Sequence, residues 1–489
     1  MIIIMADDMG FSDIGCYGSE IETPHLDALA ASGIRFTQFY NAARCCPTRA
    51  ALLTGLYPHQ VGMGSMVTHS GSSREDGPYQ GYLRTDSCVT IPEAIKSAGY
   101  RSYMSGKWHV GEYPNSWPRQ RGFDKYWGLI SGASSYYEII KDQPRERVMV
   151  LNDERWEPTD TGFYMTDATT DYAIQWLREH QAETPDQPYL LYVAYTAPHW
   201  PLHALPEDIH KYEDQYQIGW DSLRQLRYKN QKELSLFARQ PELSARPESV
   251  PSWESSPDKQ DWSLRMAVYA AMIDRMDQGV GRIIRQVESD GDRNNTCVIF
   301  LSDNGGCAEE ITGRNLHDPE SAIGSRDSYV AYREPWANAS NTPFRYYKQW
   351  THQGGILTPF ILSFPKAGLT TGSVIDAPAH VIDLMPTILS LANASYPKNH
   401  AIPMEGVNLF NVIAQSYLER TLYWEHIANQ AILKYPWKAV SSRGESWELY
   451  NLEDDPAEMH DQAAREPELL AEKIRLWQLW AAKVGVSRN

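Results

Sequence analysis

Four acidic or amide side chains follow strand-like apolar runs, and their donor atoms suit a metal. Asp7 and Asp8 come after "MIIIM" (1–5), while Asp303 closes "TCVIFLSD" (296–303) and Asn304 follows it. Carboxylates and a side-chain carbonyl are hard oxygen donors for one Ca²⁺ or Mg²⁺, whereas zinc would call for His or Cys. Either dipeptide alone is more simply a turn that caps a strand. The two together, each after a buried strand, point to a metal. "SGKWHVG" (105–111) adds Lys107 and His109. If the extended backbone of "YRSYM" continues through them, they share a face and Trp108 points away. A fixed cation beside an imidazole can grip an anion and move a proton. A surface lysine and a hydrogen-bonded structural histidine is the plainer reading of the same pair. "TAPHWPLHA" (196–204) holds His199 between two prolines, with His203 close enough to compete for its role. "RYYKQWTHQGG" (345–355) carries Lys348, for which solvent exposure is the plain reading.

The stretch "NAARCCPTRAALLTG" (41–55) raises a different chemistry. Proline favours the first helical position, so Pro47 predicts a helix starting there. Cys45 and Cys46 then lie at or just before the N-cap, where free N–H groups and the helix dipole favour negative charge. Arg49 adds a cation in the first turn. An activated thiolate, as in redox sensors, fits this setting. A vicinal disulfide does not, being strained and closing no useful loop.

The elements that must position these residues read as α/β. Short buried strands at 1–5, 189–195, 296–303 and 358–365 alternate with helical patterns, and the reactive residues gather at the carboxyl ends of strands, where open α/β sheets bind ligands. Helices are expected over 24–33, which opens with Pro24 and stops at Gly33, over 264–287, with Met266, Tyr269, Ile273, Met276, Val280 and Ile284 on one face, and over 469–484. Residues 205–262 are polar, helix-prone and flanked by proline, as in an insertion laid over a sheet. Near residue 410 the texture changes to short strands and turns, "RTLYWEH", "QAILKYPWKAVSS" and "SWELYNLEDDP". The expectation is a large mixed, mostly parallel sheet sandwiched by helices over 1–410. A small α+β domain with a short antiparallel sheet and a terminal helix follows over 411–489.

Composition removes some functions. The 489 residues carry a formal charge of −17, with the acids spread along the chain. A nucleic-acid or anionic-membrane binder would need a basic face instead. A small anionic substrate remains compatible if a few cations converge locally. Six cysteines without a C-x-x-C pair form neither a disulfide framework nor a zinc site. No apolar run reaches the length of a membrane span. Met1 leads straight into a strand, so no signal peptide is read here. Export to a periplasm or outside the cell would need a further upstream segment, and the compartment stays open. Three N-x-S/T sequences, at Asn294, Asn338 and Asn393, are too common to decide it.

Cys45-Cys46-Pro47-Thr48-Arg49, followed by Leu53-Thr54-Gly55, resembles the C-x-P-x-R and L-T-G motif of the sulfatase family. In that family the cysteine is oxidised after translation to formylglycine. Counting back from Pro47 and Arg49 makes Cys45 the converted residue and Cys46 the variable position. Stretches similar to the arylsulfatase type follow in the family's order: "ADDMGFSDIGCYGSEIETPHLDALAASGIRFTQFY", "GKWH", "APHWPLHA", "SDNGG", "NTPFRYYKQWTHQGG" and "SWELYNLEDDPAE". The resemblance implies the alkaline phosphatase superfamily and one Ca²⁺ or Mg²⁺ held by Asp7, Asp8, Asp303, Asn304 and the formylglycine at Cys45. It implies that Arg49 and Lys107 hold the formylglycine hydrate and the sulfate. His109 would contact the nucleophile's hydroxyls, and His199 and Lys348 the sulfate and leaving-group oxygen. One hydroxyl of the hydrate attacks sulfur, and the second then expels sulfate as the aldehyde re-forms. The implied partners are a sulfated small molecule or saccharide and a formylglycine-generating or equivalent maturation enzyme.

Two positions depart from the family pattern. Gln353 stands where a Glu usually precedes Gly-Gly, and Asn429-Gln430-Ala431 stands where N-R-A is usual. A phosphonate monoester or phosphodiester hydrolase of the same superfamily shares the motif and is the alternative activity. A protein that keeps the thiol, as an anion binder or redox protein, is the non-catalytic one. The chain has 16 Trp and 29 Tyr, which would suit sugar stacking, although most such rings serve packing. Substrate choice is expected in 66–86, 131–165 and 205–262.

Overall fold

The computed structural model describes residues 1–68, 77–141, 146–159, 161–311, 316–397, 402–415 and 418–486. Parts of the expected substrate loops 66–86 and 131–165 therefore lie outside the described residues. In chain order the strands are β1 (Ile2–Ala6), β2 (Ile34–Phe36), β3 (Phe39–Tyr40), β4 (Arg101–Gly106), β5 (Lys125–Leu129) and β6 (Met149–Leu151). Then come β7 (Glu154–Arg155), β8 (Tyr189–Ala194), β9 (Val298–Ser302), β10 (Phe360–Ser363), β11 (Ser373–Ile375) and β12 (Ala379–His380). The last four are β13 (Leu422–His426), β14 (Asn429–Lys434), β15 (Trp437–Ser441) and β16 (Glu448–Asn451).

Ten strands form one mixed sheet in the order β11-β2-β10-β9-β1-β8-β4-β5-β6-β7. Its centre, β9-β1-β8-β4-β5, is parallel throughout. The run Ile2-Ile3-Ile4-Met5-Ala6 is wholly buried, as a strand covered on both faces requires. Ile4 sits opposite Val193 on one side and Phe300 on the other. This register brings the carboxyl ends of β1, β8, β9 and β4 to one edge, so Asp7, His199, Asp303 and Lys107 all emerge there. Helices pack against the sheet, among them Met165–Glu183 against β4 and β8. The three expected helices occur as Pro24–Ala31, Lys259–Ser289 and Pro467–Val484. Among the described residues no helix is long and apolar enough to cross a membrane.

Two local expectations need correction. The helix expected at Pro47 runs Cys45–Thr54, with Arg44 as its N-cap. Its first intrahelical bond runs from the Thr48 amide to the Arg44 carbonyl, 2.9 Å. Pro47 thus sits among first-turn positions whose N–H has no intrahelical partner, and its missing donor costs nothing. The extended backbone also stops at Gly106 instead of continuing to His109, which adopts φ +56°. Trp108 does turn away from the site, buried and donating to the Ser116 carbonyl at 2.9 Å.

The polar 205–262 stretch contributes the helix Gly219–Glu233. Arg227 on that helix pairs with Asp13 and Glu20, pinning it over the chain just after β1. The C-terminal strands form a separate antiparallel sheet, β13-β14-β15-β16, with the terminal helix packed on β14 and β15. Trp424 joins this sheet to the stretch before the cysteines by donating to the Asn41 carbonyl at 2.7 Å. The chain therefore has the expected class: a large mixed, mostly parallel sheet with helices, and a small antiparallel C-terminal sheet.

Candidate active site

Every residue singled out for chemistry is buried at the carboxyl edge of the parallel strands. Asp7, Asp8, Asp303 and Asn304 meet because β1 and β9 are neighbours in register. The Asp8 amide donates to Asp303 Oδ1 at 3.1 Å, and Asn304 Nδ2 donates to Asp8 Oδ1 at 2.7 Å. Each carboxylate has a cation of its own. Lys107 Nζ lies 2.5 Å from Asp7 Oδ2, and Lys348 Nζ lies 2.8 Å from Asp8 Oδ2. Arg49 donates to Asp303 Oδ2 from Nε and Nη2, at 3.0 and 2.8 Å. The cluster is thus close to charge-neutral. A divalent ion would turn it positive, a setting that attracts an anionic ester.

The donor set fits such an ion. Asp7 Oδ1 and Asn304 Oδ1 are buried without a hydrogen-bond partner. A buried acceptor left unmade costs about 1–3 kcal/mol, so two on neighbouring loops argue for a ligand. Asp7, Asp8, Asp303 and Asn304 offer hard oxygens, which favour Ca²⁺ or Mg²⁺, while the His199 ring nitrogen lies close enough to Asp7 and Asp8 to join them around an ion.

Electrostatics separates the carboxylates. Burial raises Asp7 and Asp303, and the cations beside them do not fully reverse it. Burial also opposes the charge on Asp8, but Lys348 and His199 outweigh it and hold its carboxyl down at about 2. Burial likewise opposes the Lys348 ammonium, yet Asp8 and Glu309 keep that group charged.

Cys45 faces this cluster from the helix Cys45–Thr54, all ten residues of which are buried. Its sulfur, that of Cys46 and a ring nitrogen of His109 lie within 4.8 Å of one another. A hydrogen bond from Cys46 lowers the Cys45 thiol well below its ordinary range, and Lys107 and His109 reinforce that against burial. Burial drives Cys46 the other way. Lys107 and His109 both favour negative charge on the side chain at 45. Gly132 makes room for His109, since a Cβ there would stand 2.3 Å from the imidazole Nε2.

The two histidines of "TAPHWPLHA" resolve by their hydrogen bonds. His203 is fully engaged: its Nδ1 accepts from the Tyr136 amide at 3.2 Å, so Nε2 is the donor to the Ser328 carbonyl at 2.5 Å. It is structural. His199 donates from Nδ1 to the Trp200 carbonyl at 2.6 Å, which turns Nε2 toward the site, 3.4 Å from both Asp8 Oδ2 and Lys348 Nζ. Burial lowers its pKa to about 4 against the pull of Asp8, and the charged Lys348 is its neighbour.

Sequence reasoning missed the rim. Glu309 takes a hydrogen bond from Trp200 Nε1 at 3.0 Å, pairs with Arg44 at 2.7 Å and lies 3.8 Å from Lys348. Gln349 Nε2 donates to it at 2.8 Å. The only trace in the sequence was its place shortly after "SDNGG". Of the two departures, Gln353 does not reach the metal-type cluster. It contacts Lys438, Tyr40 and Glu458 beneath the C-terminal sheet. Gln430, on β14, accepts from Thr351 Oγ1 through its backbone carbonyl at 3.0 Å.

Known proteins resemble this chain over most of its length. The family described as Sulfatase matches residues 1–394, and the one described as N-sulphoglucosamine sulphohydrolase, C-terminal, matches 344–478. An arylsulfatase of Klebsiella aerogenes is 34% identical, covering 86% of this chain and 93% of that protein. An uncharacterised sulfatase of Schizosaccharomyces pombe is 33% identical, over 99% of this chain and 94% of its own length. The solved structure of Ps i-CgsB in complex with k-i-k-neocarrahexaose aligns with a TM-score of 0.73 at 26% identity, over 98% of this chain and 92% of that one.

Proposed function

The chain belongs to the sulfatase family and is a sulfuric ester hydrolase, and from that premise we propose that it cleaves carbohydrate or aryl O-sulfates through Cys45 converted to formylglycine. On this reading residues 1–410 form the catalytic unit and 411–489 a C-terminal subdomain. The observation that carries it is the convergence of Arg49, Lys107 and His109 on the side chain at 45, opposite the oxygen cluster of Asp7, Asp8, Asp303 and Asn304. These four, with residue 45, would hold one Ca²⁺ or Mg²⁺. That ion would neutralise the sulfonyl oxygens and favour ionisation of the attacking hydroxyl. Formylglycine, as its hydrate, supplies a geminal diol: one hydroxyl attacks sulfur and the other later releases sulfate. Because the whole helix Cys45–Thr54 is buried, the maturation enzyme must reach Cys45 before the chain folds.

The remaining roles follow from placement. Arg49 and Lys107 stand where charge develops on the nucleophile and the sulfonyl group, and pre-aimed charges of this kind supply a large part of catalysis. His109, beside residue 45, is placed to take the proton when sulfate is expelled. On the opposite side His199 Nε2 and Lys348 Nζ lie 3.4 Å apart, so the imidazole and the ammonium both face the place of the leaving oxygen and are the pair placed to give it a proton. General acid catalysis of this kind is worth about 10²–10⁴-fold, most for a poor alkoxide leaving group. Trp200, its ring tilted against that of His199 at 4.6 Å, forms a half-exposed aromatic wall where a sugar or aryl group would leave. The Ps i-CgsB complex with k-i-k-neocarrahexaose supports the saccharide reading, and the arylsulfatase of Klebsiella aerogenes supports the aryl one. The test is a panel of sulfated sugars and one aryl sulfate, assayed with converted protein. Turnover is expected for Cys46→Ala and none for Cys45→Ala. Equal loss in both would overturn the assignment.

A further inference from the structure

Lys348 sits on a loop that closes on itself. The Gly354 amide donates to the Arg345 carbonyl at 3.1 Å, and a Cβ on Gly354 would stand 2.4 Å from that oxygen. Between these stems the chain passes Tyr346 and Gln349 at positive φ and projects Lys348 onto Asp8. The catalytic sheet holds the tip, since the Lys348 amide donates to the Gly306 carbonyl at 3.1 Å. The C-terminal unit holds both stems: Glu448 reaches Arg345 and His352, Asn429 and Gln430 reach the loop between, and one further residue bonds both stems from its backbone and its side chain.

That further residue is Glu458, in the turn after β16. Its backbone carbonyl accepts from Arg345 Nη1 at 3.0 Å, on the first stem. Its carboxylate accepts from the Gln353 amide at 2.8 Å, on the second. The other carboxylate oxygen pairs with Lys438 of β15 at 2.6 Å, and both side chains are fully buried. Lys438 also donates to Gln353 Oε1 at 3.2 Å. Glu458 adopts φ +58°, a region that bulky L residues avoid. Such a conformation persists only where the surroundings enforce it, and here the backbone and both carboxylate oxygens are engaged. A buried pair gives little net stability against an apolar replacement, so its retention calls for another reason.

We propose that Lys438 and Glu458 are positioning residues for the reaction: they clamp the two stems of the 345–354 loop and so aim Lys348 at His199 and the leaving-group oxygen. This rests on the reading of Lys348 given above. Neither residue touches substrate; each acts through Lys348. The C-terminal sheet is thereby part of the proton-delivery apparatus and not only a cover.

The experiment compares kcat/KM on a sugar O-sulfate, with its alkoxide leaving group, and on a nitrophenyl sulfate, which needs little protonation. It uses Lys348→Ala, Glu458→Gln and their combination in the full, converted chain. Glu458→Gln is expected to lose on the order of tenfold more on the sugar sulfate than on the aryl sulfate, the mark of a weakened general acid. Added to Lys348→Ala it should cost nothing further, because both act through one group. Should Glu458→Gln fail to fold, Lys438→Met with Glu458→Gln leaves a neutral buried pair, and the same substrate-selective loss is expected. Equal losses on the two substrates, or losses that add to those of Lys348→Ala, would overturn the proposal. If Lys348→Ala itself shows no substrate selectivity, the role assigned to Lys348 fails first, which is a different result.

Discussion

Two buried charge clusters sit close together in this chain and are built on opposite rules. Around Gln353 every member is satisfied: Glu458 spends one oxygen on Lys438 and one on the Gln353 amide, and the Gln353 side chain bonds Lys438 and Tyr40. Around Asp8 the charges also pair one to one, yet Asp7 Oδ1 and Asn304 Oδ1 are left without partners. A closed cluster of this kind can fix the segments around it but has no capacity left for a ligand. An open one carries unmet capacity and is where a ligand gains most. The difference separates a joint from a reaction centre, although burial and composition are alike in both.

That contrast breaks or stands on substitutions, beginning with the largest effect. Cys45→Ala should cost on the order of 10⁴–10⁶-fold in kcat, as loss of a nucleophile does, with an unchanged fold by circular dichroism. A residual rate near wild type would mean that the open cluster reacts through another group. His199→Gln should cost about 10²–10⁴-fold and fall hardest on sugar sulfates, read from paired kcat/KM values.

In the closed cluster Glu458→Gln strands a buried ammonium, for about 3–5 kcal/mol of stability, measured by denaturant unfolding. The Lys438→Met and Glu458→Gln pair should recover most of that. Chelation should act only on the open cluster. Restoring Ca²⁺ or Mg²⁺ to about 100 times its dissociation constant should add about 2.7 kcal/mol to unfolding, an increment that Asp303→Asn abolishes and Glu458→Gln keeps. The smallest effect is Cys46→Ala, about 1 kcal/mol for a buried group of that size, with most turnover retained.

Much of the open cluster was legible in the sequence because strands announce themselves and their ends carry the chemistry. "MIIIM" and "TCVIFLSD" are strands that lie side by side, so Asp7, Asp8, Asp303 and Asn304 had to meet. Which of the two thiols matters comes only from the resemblance to the sulfatase C-x-P-x-R motif, in whose register Cys45 is the converted position. What escaped was local or long-range. Pro47 suggested a helix start two residues late, since proline is tolerated anywhere in the first turn. The extended path through Lys107 was cut short at Gly106, a glycine at φ +110° whose signal the sequence reading passed over. Glu309 was invisible because its partners Arg44 and Lys348 lie far from it in sequence. Gln353 read as a charge missing near the site, whereas it fills the closed cluster, whose single ammonium already has Glu458.

The most direct test of the account is the mass of the peptide spanning residues 41–55, taken from protein produced with its maturation enzyme and shown to release sulfate. The account predicts an aldehyde at Cys45, free or as its hydrate, beside an intact thiol at Cys46. A thiol retained at Cys45 in protein that turns over sulfate esters would contradict it.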